Sequence, residues 1–180
     1  MNDITKFTPE DYYKAIHAKT AAYTVYGPMQ CGAIIADVPV DQEEQIKEYG
    51  TPAGIAFQMK DDILDCSSTE AVLGKSIGND VREGVKTVIL WHAVQNASPG
   101  MLEKLKAIYT KPREAKTEEE VRYVLNAFKE LGSIEYAEKE AARFTEEAVS
   151  RFDKITKDIP DSRIKQIAQE SIGHVTKRTH

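Results

Sequence analysis

Gly54-Ile55-Ala56-Phe57-Gln58-Met59-Lys60-Asp61-Asp62-Ile63-Leu64-Asp65 is the stretch that decides the fold. Wound as an α-helix, in which each residue turns about 100° from the last, it gathers Gln58, Asp61, Asp62 and Asp65 into one narrow sector. Phe57 and Leu64 flank that sector on one side, and Ile55, Met59 and Ile63 on the other. A solvated helix is polar over a broad face. This one is apolar nearly all round with a single acidic stripe, so it predicts a helix inside a bundle with the stripe turned towards a cavity. Crowded carboxylates repel one another, and a hard divalent cation that keeps some of its waters, such as magnesium, relieves them. An acidic helix end paired with nearby lysines satisfies the same pattern. The spacing alone leaves both readings open.

Working outward, the rest of the chain is helical in pattern. Thr8-Pro9-Glu10-Asp11 reads as a helix start, running through Tyr13, Ile16 and Thr20 until Pro28 kinks or breaks it. Cys31 to Ala36 is short and apolar, and Asp37 to Asp41 reads as a loop whose Asp41 caps the next helix. That helix continues from Gln45 to Asp65, with Pro52 as a possible interruption. Ser67 to Gly84 reads as a loop. Helices follow over Thr87–Asn96 and Met101–Tyr109, and Pro112 to Lys116 reads as a linker. Thr117 and Glu120 form a capping box. Gly132-Ser133 breaks the helix after it, Ser133 to Phe152 forms another with Ile134, Ala137, Ala141, Phe144 and Ala148 on one stripe, and a last helix starts at Arg163. The expectation is an all-α chain, a single helical domain over residues 1–180.

Composition narrows the function. The 180 residues hold 24 Lys and Arg against 29 Asp and Glu, a net charge of −5. That balance gives no reason to expect a nucleic-acid partner, and an anionic substrate has to be held by metal ions or a few placed cations. Two cysteines are too few for a disulfide framework, and no apolar run is long enough to span a bilayer. With no apolar leader in Met1 to Glu10, a cytoplasmic location is expected.

Two further groups carry chemistry. Gly74-Lys75 places a cation between flexible backbone positions, where a lysine can meet a phosphate. Lys19, Thr20 and Tyr23 put a cation, a hydroxyl and a phenol near one helix face. By themselves these are a turn, a solvated lysine and a core tyrosine.

Taken together, Lys19-Thr20, Phe57-Gln58 leading into Asp61-Asp62-Ile63-Leu64-Asp65, Gly74-Lys75 and Gly132-Ser133-Ile134-Glu135-Tyr136-Ala137 resemble the trans-isoprenyl diphosphate synthases, the family of farnesyl and geranylgeranyl diphosphate synthases. The resemblance runs from about Met1 to Ala148. It implies half of an isoprenoid-synthase helical bundle, the half with the second aspartate-rich motif. It also implies a magnesium-assisted reaction in which an allylic diphosphate ionises and isopentenyl diphosphate attacks the carbocation. By that resemblance Asp61 and Asp62 are metal ligands and Asp65 supports them, directly or through water. Lys19 and Lys75 contact the allylic diphosphate, Thr20 and Gln58 steady the carbocation with the backbone near Lys19, Phe57 lines the isopentenyl diphosphate site and Tyr23 the same cavity.

Two departures from the family pattern shape the expected function. Glu83-Gly84 is followed by Val85 where the family commonly has lysine, with Lys86 one place later. No second Asp-Asp string is present, so the motif of the family's earlier half is missing. The expected protein is one subunit of a split short-chain synthase, active with a complementary subunit that carries the first aspartate motif, the two pairs forming a heterotetramer. The alternative is a non-catalytic regulatory subunit of a complete synthase. Half of a bundle should also expose apolar faces, here Phe57, Leu64, Ile34, Ile35, Val88 and Leu90.

Overall fold

Thr8 and Asp11 build the first helix start as a reciprocal pair. The Asp11 amide donates to Thr8 Oγ1 at 3.3 Å, while the Thr8 amide and hydroxyl donate to Asp11 Oδ2 at 3.0 and 2.9 Å. This is the capping box with aspartate in the third position, and it opens α1, Pro9–Ile16. The computed structural model describes residues 3–67, 77–163 and 165–170. Among these residues there is no β-strand, and the all-α expectation is met.

The chain does not break at Pro28. After α1 it widens into a π-helix, His17–Tyr26, and then returns to α2, Gly27–Ile35. The Gly27 amide bonds the Ala22 carbonyl five residues back, and a methyl group on Gly27 would overlap that oxygen. Pro28 then falls in the first turn of α2, where a missing N–H costs nothing. The widened register therefore absorbs the proline that an unbroken α-helix would reject. The apolar run from Cys31 is the body of α2, not a separate short piece.

Asp37, at φ 56°, turns the chain into α3, Val40–Ser67, which runs through Pro52 without interruption. The helix starts one residue before Asp41. Within the expected loop Ser67 to Gly84, residues Asn79–Glu83 form a short helix, α4, between Gly78 and Gly84, both left-handed. Its end is a Schellman motif: the Val85 amide bonds the Asp80 carbonyl at 2.9 Å and the Gly84 amide bonds that of Val81 at 3.2 Å.

Thr87 caps α5, Val88–Asn96, and Ser98 caps α6, Pro99–Tyr109. A 3₁₀ turn, Arg113–Ala115, leads to α7, Glu118–Glu130, whose Thr117–Glu120 capping box forms as the sequence predicts. Gly132, at φ 65°, ends that run, and α8, Ser133–Ile155, follows.

These elements divide into two compact units, Met1–Tyr12 with Asp61–Glu138, and Tyr13–Lys60 with Lys139–Thr179. In the first, α4 and α5 both pack on α7, and Val81, Val88, Leu90, Val121, Val124 and Phe128 are buried. Val88 and Leu90 are thus buried within the chain itself and offer no face to another chain. In the second, Tyr49, Ala148 and Phe152 form a core with Val25, Met29 and Ala53 around it, and Tyr13 meets Phe144 edge-on at 5.1 Å. Among the described residues no helix is long and apolar enough to cross a membrane. Both cysteines are free, Cys31 exposed and Cys66 buried.

Candidate functional site

The second unit places Gln58 through a seam of small residues. A methyl group on Gly50 would overlap Tyr26, and one on Gly54 would overlap the backbone of Ala21. Glycines four apart on α3 therefore let it press against the π-helix with no side chain between. One turn further along the same face stands Gln58, whose Oε1 accepts a hydrogen bond from Thr20 Oγ1 at 2.9 Å. Thr20 is buried. Its proton is committed to Gln58, so the lone pairs of its oxygen remain to face other ligands.

In the first unit, α3 ends in the carboxylates. Asp62 is only 4% exposed. The hydroxyl of Tyr12, itself buried, donates to Asp62 Oδ2 at 2.7 Å, which offsets part of the cost of removing an acid from water. Asp61 and Asp65 are half-buried. Both oxygens of Asp65 are engaged by backbone at the start of α4: the Asn79 amide donates to Oδ1 at 3.1 Å and the Asp80 amide to Oδ2 at 3.0 Å. The Gly78 amide also bonds the Asp65 carbonyl at 2.9 Å. The stripe thus turns its middle acid furthest inward, with Asp61 and Asp65 half-buried on either side.

The charge gathered there is felt by its neighbours. Burial above all, then the charges of Asp65, Asp80 and Asp62, push the Cys66 thiol well above its ordinary range. Tyr109 is raised likewise, first by burial and then by Cys66, Asp80 and Asp65. Among the described residues no three His, Cys, Asp or Glu side chains come close enough to cage a cation by themselves.

The other expected residues are spread differently. Phe57 is half-buried and Lys19 exposed. Tyr23, read from pattern alone as a core tyrosine, is 83% exposed, carried outward by the π-helix. Gly74 and Lys75 lie outside the described residues. Val85 occupies the position after the Schellman glycine, where an apolar residue is usual. Lys86 points instead to the start of the chain, its Nζ 3.4 Å from the Asp3 carbonyl and 5.9 Å from the centre of the Phe7 ring.

Sequence reasoning missed Tyr12, Gly50 and the Asn79–Asp80 amides. A tyrosine on the buried face of α1 needs a polar partner, which was the available signal for Tyr12. Gly50 and Gly54 at helical spacing marked a close approach. The glycines on either side of Asn79–Glu83 marked a short capped helix.

Comparison with known proteins gives these placements a context. Residues 1–128 match the polyprenyl synthetase family model. Octaprenyl diphosphate synthase of Escherichia coli (strain K12) is 32% identical over 143 residues, 79% of this chain and 43% of that protein. A short chain isoprenyl diphosphate synthase of Methanocaldococcus jannaschii is 35% identical over 130 residues, 72% of this chain and 38% of its own length. Among solved structures, the polyprenyl synthase from Caulobacter crescentus CB15, complexed with calcium and isoprenyl diphosphate, superposes with a TM-score of 0.84 at 26% identity. That match covers 99% of this chain and 52% of the other. The chain therefore spans about two fifths to one half of the relatives it matches, and it belongs to the polyprenyl synthetase family.

Proposed function

We propose that this chain supplies the second aspartate-rich side of a split short-chain trans-prenyl diphosphate synthase, which with a complementary subunit condenses isopentenyl diphosphate with an allylic diphosphate. The observation that carries the reading is α3 itself. It bears Gln58, hydrogen-bonded to Thr20, and the acidic stripe of Asp61, Asp62 and Asp65 on one continuous helix, in a chain that spans 43% of a full-length relative.

Magnesium fits this donor set. It binds through one or two carboxylates together with substrate phosphates and its own waters, not through an all-protein cage. Asp61 and Asp62 would hold it, with Tyr12 orienting Asp62 as supporting hydrogen bonds orient ligating carboxylates. When bound, the ion neutralises charge on the departing diphosphate. Lys19, and Lys75 from outside the described residues, add cations for the same diphosphate. As the allylic C–O bond breaks, the lone pairs of Thr20 and the amide dipole of Gln58 face the positive carbon. Phe57 and Tyr23 present aromatic surface to the hydrocarbon and to the isopentenyl unit, whose alkene carbon forms the new bond before a proton is lost.

The complementary subunit supplies the first aspartate motif, and two such pairs assemble as a heterotetramer. Ile34 and Ile35, both strongly exposed, offer apolar surface for that contact. The test is condensation of labelled isopentenyl diphosphate with geranyl diphosphate and magnesium, by the chain alone and after co-expression with the amino-terminal part of a related synthase. The chain alone should be inactive and the pair active, with product length following the partner. Turnover by the chain alone would overturn the split arrangement. An inactive pair, with a complete synthase whose rate changes when the chain is added, would establish the regulatory alternative.

A further inference from the structure

Lys116 is the one lysine or arginine that is buried among the described residues, at 8% exposed. A lysine is rarely taken out of water without a partner. Its partner lies on α4, 34 residues earlier, where Lys116 Nζ donates to the Arg82 carbonyl at 2.8 Å. The ammonium also stands 5.7 Å from the centre of the buried Tyr109 ring, within reach of a cation–π attraction. Burial pulls its ionisation below the ordinary lysine range, and the charge of Glu120 works the other way.

The carbonyl that Lys116 meets is the one the end of α4 leaves over. The Schellman motif satisfies the Asp80 carbonyl through the Val85 amide and the Val81 carbonyl through the Gly84 amide. The next carbonyl along, that of Arg82, is an orphan of the helix end, and the ammonium takes it. Gly84 leaves room: it sits at φ 71°, and a methyl group there would stand 3.4 Å from Lys116 Nζ. Five residues are too few to hold a helix by themselves, so α4 is kept in place by tertiary ties. From the same stretch of chain Glu118 pairs with Arg82 at 2.7 Å, and Arg113 reaches Glu83 and, at 3.2 Å, Asn79 Oδ1. Each of those ion pairs has a partner open to water, and such pairs contribute little. The bond from Lys116 is the one made by a buried charge.

We propose that Lys116 is a positioning residue, whose buried ammonium completes the cap of α4 and so fixes the course of the chain on both sides of that helix. Chain order gives the consequence. α4 is the first described helix after Gly74-Lys75, and it ends on the turn Gly84-Val85. On the proposed synthase reading, on which this consequence rests, Gly74-Lys75 serves the allylic diphosphate. Lys116 then acts on that substrate through α4, without touching it.

The tie can be read in the wild-type full chain, where an NMR coupling across the hydrogen bond should connect the Lys116 Nζ nitrogen to the Arg82 carbonyl carbon. Lys116→Met keeps the unbranched apolar stem and removes the donor. Its Gly84 and Val85 amides should exchange with solvent at least about tenfold faster than in wild type, as for one lost charge-assisted bond. Its urea midpoint should stay close to wild type, because an apolar isostere in place of a buried charge is near neutral. In the assembled enzyme the same variant should raise the KM for the allylic diphosphate at least about fivefold and leave kcat and the KM for isopentenyl diphosphate within about twofold. Unchanged exchange at Gly84 and Val85 overturns the cap, as does a Lys116 ammonium that shows no coupling and exchanges as fast as an exposed lysine. Faster exchange with an unchanged allylic KM overturns the positioning role. Should Lys116→Met not fold, the wild-type coupling decides the cap, and Lys116→Gln, too short to reach the carbonyl, takes its place in the comparison of KM. If the wild-type assembly transfers no prenyl group, the synthase reading fails while the exchange result still decides the cap.

Discussion

At the scale of single residues, a DDxxD string yields carboxylates in unlike surroundings, Asp62 buried against the Tyr12 hydroxyl and Asp65 half-buried against the Asn79 and Asp80 amides. Spacing placed them on one helix face, and that much was legible. It gave no sign that the middle acid would be the buried one, because burial depends on what packs opposite, here the Tyr12 phenol from α1. On the proposed reading, Asp61→Ala or Asp62→Ala in the assembled synthase should lower turnover about a hundredfold or more, as when one preorganised charge-stabilising group is lost. Single-turnover assays with labelled isopentenyl diphosphate would show it. Near-normal rates in both variants would remove these acids from the site. The departure at Val85 also has a local account. The position after a Schellman glycine accommodates valine, and the lysine displaced by one place finds the Asp3 carbonyl instead.

Among elements, the caps were the most readable feature. Thr8 with Asp11 and Thr117 with Glu120 cap helices as the sequence reading expects, while Thr87 and Ser98, not singled out there as caps, also accept the first free amides of α5 and α6. Proline was the least readable. Pro28 and Pro52 both lie within helical runs, one absorbed by the π register before it and the other inside α3. No residue type announces a π-helix, because it is set by hydrogen-bond register and by what the widened turns pack against. The Gly50–Gly54 seam packs against it, and this gives a stability test. Gly54→Val should cost about 1–3 kcal/mol, the usual penalty of overpacking, because its side chain would overlap Ala21. It should also loosen the Thr20–Gln58 bond one turn away. Gly32→Val, where a methyl group meets nothing within 4 Å, is the control. Urea midpoints of the two variants would decide it, and equal midpoints would mean that the seam is not tight.

For the whole molecule, the expected set of exposed apolar faces was right in kind and too wide in extent. Val88 and Leu90 are interior, since a run that is apolar all round cannot tell a buried helix from an uncovered one. Ile34, 61% exposed, and Ile35, 87% exposed, do lie open. On the proposed split reading, replacing both with serine should leave the chain's circular dichroism unchanged and weaken association with the proposed complementary subunit at least tenfold, measured by analytical ultracentrifugation. Undiminished association would move the contact elsewhere. Beside these isoleucines, three and four residues earlier on α2, stands Cys31, an exposed thiol on the same helix face. The chain's other cysteine, Cys66, is buried, with its ionisation pushed up by burial and by the carboxylates around it, so it stays a poor nucleophile. The wild-type chain therefore takes a maleimide dye at one address, next to the surface in question. A fluorophore placed there reports docking as it happens, in the unmutated protein.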